Sequence, residues 1–197
     1  MAILDATERL LGRRGYEAMS MAQVAGAAGV SKPTIHLRYR SKRELVAAMI
    51  DRLRPPLPHA SAGSAIADLA ALIDMQRAWV ERHGLRMVAA VLLEQADHPE
   101  LMQRFQQRVV EPVRDAWRVV LRADIDRGEL RAGADADEVV DAFTGAYWAR
   151  TWAGGGVTRD WSRRLISAVL TRLTMSSGAD TDETGEPTTS RSTVISR

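Results

Sequence analysis

The sequence predicts an all-α fold of about nine helices, an N-terminal three-helix helix-turn-helix unit followed by a C-terminal helical bundle. Three observations carry this expectation. Apolar residues recur at intervals of three and four and nowhere sustain the alternation of a strand. Serines at 20, 31 and 41 stand just ahead of three short apolar segments, ten or eleven residues apart. Prolines and glycines divide the remainder into lengths that suit helices.

Ile3, Leu4, Thr7, Leu10 and Leu11 form one face of a first helix, which Gly12 and Gly15 loosen and end. Ser20 with Gln23, and Ser41 with Glu44, fit the capping box in which each side chain satisfies the other's free backbone N–H. Ser31 with Pro33 fits an N-cap followed by a first-turn proline, where no helical hydrogen bond is lost. Three helices follow from these starts, over 21–28, 32–39 and 42–54. Between the first two of them, Ala28-Gly29-Val30 supplies a left-handed glycine and an apolar residue to tuck into the turn, which gives a helix-turn-helix layout.

Arg54-Pro55-Pro56-Leu57-Pro58 stops the fourth helix, and 55–63 reads as a linker. Leu69, Leu72, Ile73, Gln76, Trp79 and Val80 line a fifth helix that ends near His83-Gly84, and Met87, Val88, Val91 and Leu92 a short sixth. Pro99 opens a long seventh along Leu101, Phe105, Val109, Val113, Trp117, Val120, Leu121 and Ile125, with a bend expected at Pro112. RGELRAGAD is a turn. Asp135 or Asp137 starts an eighth helix through Val140, Phe143, Tyr147 and Trp152, Gly154-Gly155-Gly156 breaks it, and 159–175 forms a ninth. The polar composition of 176–197 predicts a disordered tail. The expected organisation is a helix-turn-helix unit over 1–54, the linker over 55–63, a helical body over 64–175, and the tail.

Composition narrows the function classes. The chain has no cysteine, which removes disulfides, thiolate metal sites and cysteine nucleophiles. Its longest strongly apolar run, Met87–Leu93, is too short to span a bilayer, and its N-terminus changes character too quickly for a signal peptide, so a cytoplasmic protein without membrane contact is expected. Residues 1–54 carry 10 Lys and Arg against 5 Asp and Glu, whereas 55–197 carry 17 against 20. A basic head on a mildly acidic body suits a polyanion partner, although charge alone also describes an ordinary solvated face.

The two lysines of the chain, Lys32 and Lys42, both fall in AGVSKPTIHLRYRSK, residues 28–42. In a helix-turn-helix the second helix enters the major groove with its N-terminal residues on base edges. Ser31, Lys32, Pro33, Thr34 and His36 occupy that position. Lys32 can donate to guanine, Pro33 can pack on a thymine methyl, and Thr34 can reach a base or a phosphate. Lys42 begins the next helix, where free N–H groups add to its attraction for phosphate, and Arg38 and Arg40 flank it. Solvent-exposed capping residues are the plainer alternative.

Residues 3–50 resemble the DNA-binding domain of the tetracycline-repressor (TetR) family. The resemblance rests on Gly15-Tyr16, Ser20, Val24-Ala25, Ala28-Gly29-Val30-Ser31, Thr34, Tyr39 and Ser41-Lys42 with Leu45, all in register. It implies DNA contacts at Ser20, Ser31, Lys32, Pro33, Thr34, His36, Leu37, Arg38 and Lys42. The sequence departs from the common pattern at His36, Leu37 and Arg40, so no operator sequence carries over. Tyr39 shares the inward face of Ile35 and is expected in the core. The resemblance also implies a palindromic double-stranded operator and a homodimer built from the last two helices, whose segments 139–152 and 161–173 are apolar over more than one stripe. A wholly intramolecular core is the alternative.

All five tryptophans lie beyond the basic head. Met75, Trp79, Met87, Met102, Phe105, Trp117, Phe143, Tyr147 and Trp148 form the candidate lining of a cavity for a small hydrophobic or aromatic effector, with core packing the default role of each. No cofactor, metal or catalytic residue is expected. Glu94 and His98 share a helical face but fall short of a metal site and read as a surface ion pair; His83 reads as a helix-end cap; and Asp135, Asp137, Glu138 and Asp141 suit a helix start. The sequence therefore predicts a transcriptional repressor released by an apolar effector. A dimeric regulator governed by a protein partner or its own abundance is the second possibility, and a catalytic or sequestering protein with a vestigial basic head the third.

Overall fold

The computed structural model describes residues 2–55, 57, 63–130 and 135–174. The predicted tail, most of the linker and part of the RGELRAGAD turn lie outside the described residues. The helices are α1 (Ala2–Ala18), α2 (Met21–Ala28), α3 (Lys32–Arg38), α4 (Lys42–Arg52), α5 (Ala65–His83), α6 (Leu85–Leu93), α7 (Pro99–Phe105), α8 (Glu111–Asp126), α9 (Ala136–Trp152) and α10 (Arg159–Thr174). A π-helical segment, Gln106–Val110, joins α7 to α8. Among the described residues these make nine separate rods and no strand.

The serine starts form largely as their spacing requires. Ser20 Oγ accepts from Gln23 N at 3.2 Å while Gln23 Oε1 accepts from Ser20 N at 3.1 Å, a complete capping box. Ser31 Oγ accepts from Thr34 N and lies 2.7 Å from Thr34 Oγ1. At the third start only half the box closes. Ser41 Oγ accepts from Glu44 N, but Glu44 Oε2 accepts from Arg40 N at 2.8 Å, one residue earlier than expected. Between α2 and α3, Gly29 takes φ +68°, and Val30 N bonds back to Ala25 O at 3.0 Å to close the turn. α1 runs through Gly12 and kinks at Gly15, whose φ of +76° is open to glycine and strained for other residues.

The expected irregularity near Pro112 is present in another form. Proline cannot donate to the carbonyl four residues back, and the turn just before it widens so that Glu111 N bonds Gln106 O, five residues away. The rod continues through this turn into α8.

The core runs without a break from the head into the body. α1 lies along α6, close enough at Gly12 that a Cβ there would sit 3.5 Å from Met87 Cβ. α4 packs on α7, and Asp51 of α4 accepts from both Arg104 and Arg108, the latter at 3.1 Å. On the other side of the head Arg52 reaches Asp5 and Glu8, and Glu8 meets His83 Nδ1 at 2.6 Å. The hydrogen bond from His83, with Arg52 alongside, holds the Glu8 carboxyl below its ordinary range. His83 is thus not a cap: Gly84 N closes α5 onto Val80 O, and the imidazole bridges α5 to α1.

A buried acid pair ties the lower part of the body together. Asp68 and Asp124, both almost without solvent contact, converge on Arg127, and Glu129 beside it accepts from Ala65 N at 2.6 Å, so the turn after α8 caps α5. Burial, with Asp68 nearby, pushes Asp124 up to about 6 against the pull of Arg127.

Two outcomes follow. Removing the cap with Ser31→Ala should cost about 1 kcal/mol in urea unfolding. Because the Asp124 pKa is raised in the folded state, its contribution is fully present below the unfolded value near 3.8 and is lost as pH rises through about 6. Asp124→Asn should therefore gain stability relative to the parent between pH 4 and pH 7, by about 1–2 kcal/mol after allowance for Arg127 and its water; thermal melts across that range measure it.

Candidate functional site

α3 is seven residues long and buries one side chain, Ile35. Its remaining surface is free to meet a partner. Lys32, Pro33, His36, Leu37 and Arg38 are exposed, Leu37 to 89%, and Thr34 is half-buried by its bond to Ser31. The charged ends of Lys32 and Arg38 have no ion-pair partner among the described residues, whereas Arg43, Arg52, Arg104 and Arg108 each have one. Unpaired cations beside an exposed leucine on a capped helix start offer donors to base edges and phosphates and an apolar contact for a thymine methyl. Ser20 is exposed at the start of α2, and Tyr39 is half-buried against the core, as its spacing predicts.

Lys42, the other lysine of the basic stretch, makes contacts within the head that its sequence position does not announce. Its Nζ donates to Tyr16 O at 2.9 Å and Glu17 O at 3.4 Å, sits 4.1 Å above the Tyr16 ring and lies 3.8 Å from Glu17 Oε1. These carbonyls lie in the last turn of α1, where no intrahelical donor four residues on reaches them, and Tyr16 O also accepts from Met19 N at 3.2 Å. Lys42 therefore staples α4 to the end of α1, with its ammonium still partly exposed. Nothing in the sequence spacing signals this bond, since the partners are 26 residues apart.

An apolar cavity of about 120 Å³ opens between α5, the π turn, α8 and α9. Of the nine candidate lining residues it gathers Met75, Trp79, Phe105 and Trp148. The other five lie elsewhere. Met87 is buried between α6 and α1, Trp117 and Phe143 pair in the core at 5.4 Å between ring centroids, Tyr147 is buried edge-on to Trp148, and Met102 is half-buried on α7. Aliphatic and polar residues that the sequence reading omitted complete the wall: Gln76, Val88, Val109, Val113 and Thr144 among them. Pro55, just past α4, also reaches it. Trp79 carries a buried Nε1–H without a hydrogen-bond partner.

The remaining candidates resolve plainly. Asp135 accepts from Asp137 N to start α9, and Asp137 and Asp141 pair with Arg114, and Asp137 with Arg118 as well. Glu94 is not at the surface, and its pairing with His98 is replaced by a cluster that also contains Glu17. Among the described residues no helix is long and apolar enough to cross a membrane.

Residues 3–49 match the family described as bacterial regulatory proteins, tetR family, and residues 59–169 the tetracyclin repressor-like C-terminal domain. The chain is 31% identical over 179 residues to the HTH-type transcriptional regulator Rv1556 of Mycobacterium tuberculosis, covering 89% of this chain and 88% of that one. It is similar to the crystal structure of MexZ, a repressor of Pseudomonas aeruginosa, with TM-score 0.71, 25% identity and coverage of 89% and 94%. The flavonoid-responsive regulator FrrA shares the fold at TM-score 0.66 and 23% identity, with coverage of 87% and 93%. With a capped, cationic second helix in the matching head and the second match extending over more than half of its length, the chain belongs to the tetR family of DNA-binding transcriptional regulators.

Proposed function

We propose that the protein is a repressor that binds a palindromic operator as a homodimer and is released by a small apolar effector. The observation that carries this reading is the continuity between cavity and head. The π turn contributes Val109 and Val110 to the cavity wall while Arg104 and Arg108, on the same rod, grip Asp51 of α4. A ligand that moves this turn moves α4, which directly follows α3 in the chain, and through the Lys42 staple the end of α1. Release then requires only that the ligand prefer one spacing of the two heads over the other.

At about 120 Å³ the cavity suits an effector near the size of one aromatic ring, since an apolar cavity of about 150 Å³ holds benzene. The flavonoid response in FrrA's name is consistent with aromatic ligands on this fold. The dimer reading draws on α9 and α10. Trp152 is 68% exposed and stacks on Trp148 at 6.0 Å, and Leu165, Val169 and Leu170 of α10 are only half-buried. Such a face suits a symmetric partner.

DNA contacts are proposed at Ser20, Ser31, Lys32, Pro33, Thr34, His36, Leu37, Arg38 and Lys42. Lys32→Ala should relax sequence preference, measured as the affinity ratio between the protein's own upstream region and a scrambled duplex. Lys42→Ala should weaken both duplexes alike and lower the salt slope by about one. The reverse pattern would reassign the two lysines. For the effector, apolar single-ring compounds should raise the melting temperature by about 5 °C or more at a hundredfold excess over Kd. Val113→Phe, which fills the cavity, should abolish that rise; an equal rise in the variant would place the ligand elsewhere.

A further inference from the structure

Where the head meets the body, three donor side chains that are distant in sequence converge. A carboxylate oxygen of Glu17 at the end of α1, one of Glu94 at the end of α6, and a ring nitrogen of His98 before α7 all lie within 4.8 Å of one another. Glu94 is 9% exposed, and from this largely buried position its carboxylate faces the other two donors with no hydrogen bond of its own among the described residues. Its carboxyl is raised by burial and by the neighbouring Glu17 charge. Asp97 adds negative charge around the cluster, Glu100 beside His98 is paired with Arg43, and Lys42 faces the cluster beside Glu17.

We propose that Glu17, Glu94 and His98 bind a divalent transition-metal cation of the zinc or manganese kind, and that occupation of this site strengthens DNA binding through Lys42. One borderline imidazole nitrogen with two hard carboxylate oxygens is a donor set that such ions accept, and the absence of cysteine removes the softer alternatives. Bonds of about 2.0–2.2 Å require the donors to close by about an ångström, which the exposed Glu17 side chain accommodates. Open positions are left for water.

Cation binding at Glu17 competes with the contact between Glu17 and the Lys42 ammonium. Lys42 then keeps its carbonyl partners and turns its remaining capacity to phosphate. The coupling rests on the proposed DNA contact of Lys42; the metal binding itself does not.

The test uses the tag-free full chain. Calorimetric titration with Zn²⁺ in the absence of DNA should give one ion per chain, and Glu94→Gln, His98→Gln and Glu17→Gln should each weaken binding at least tenfold. Mg²⁺ at the same concentration should not compete, because it prefers oxygen ligands and keeps its water. Melting in chelator checks that the variants fold; Glu17→Gln alters only an exposed side chain and keeps the test decisive if the buried variants do not. Absence of binding, or equal binding in parent and variants, overturns the site. Zn²⁺ should also tighten binding of a nonspecific duplex threefold or more at fixed ionic strength, and not in Glu17→Gln. Unchanged DNA affinity in a chain that has bound its ion overturns the coupling and leaves the site standing.

Discussion

A helix of seven residues with one buried side chain cannot hold its own position, so everything that fixes α3 must come from its neighbours. The cap at Ser31 sets where it starts, the Gly29 turn sets its angle to α2, and Ile35 anchors it to the core shared by α1, α2 and α4. The exposed surface of α3 is the result. Because only one face is spent on packing, Lys32, His36, Leu37 and Arg38 all remain available to a groove.

The same constraint explains why the head is bound so firmly to the body. Asp51 joins α4 to the rod of α7 and α8 and the Glu8–His83 contact joins α1 to α5, while Lys42 joins α4 to α1 within the head. Each bond involves a charged side chain, and Lys42, Asp51 and His83 lie in the first or last turn of their helices. An exposed ion pair contributes little on its own. Several that share α1 and α4 define the orientation of the head without adding much to overall stability.

Local signals in the sequence were sufficient for the helices and for α3. Capping serines, the left-handed glycine and apolar periodicity act within a few residues, and the structure places the starts where they fall. Contacts between distant positions were not legible. The Asp68–Arg127 pair spans 59 residues, and the Lys42–Tyr16 bond 26. Charged side chains give no indication in sequence of which remote carbonyl or acid they will meet. The cavity illustrates a related limit. Aromatic residues were the natural candidates, yet Trp117 and Phe143 fill the core while Val109 and Val113 face the open space. Residue type separates apolar from polar, and only packing separates a filled position from an empty one.

The π turn at Gln106–Val110 has a geometric effect beyond relieving Pro112. One additional residue in a turn advances the phase of a helix by about 100°. The upstream segment can thereby aim Arg104 and Arg108 at α4 while the downstream segment seats Trp117 against Phe143. A chain shortened by a single residue here would retain every cap and every apolar side chain. Its two half-rods would nevertheless be out of step, with the arginines rotated away from α4 whenever the tryptophan was home. Angular register, set by residue count and invisible to composition, is part of what connects the cavity to the head.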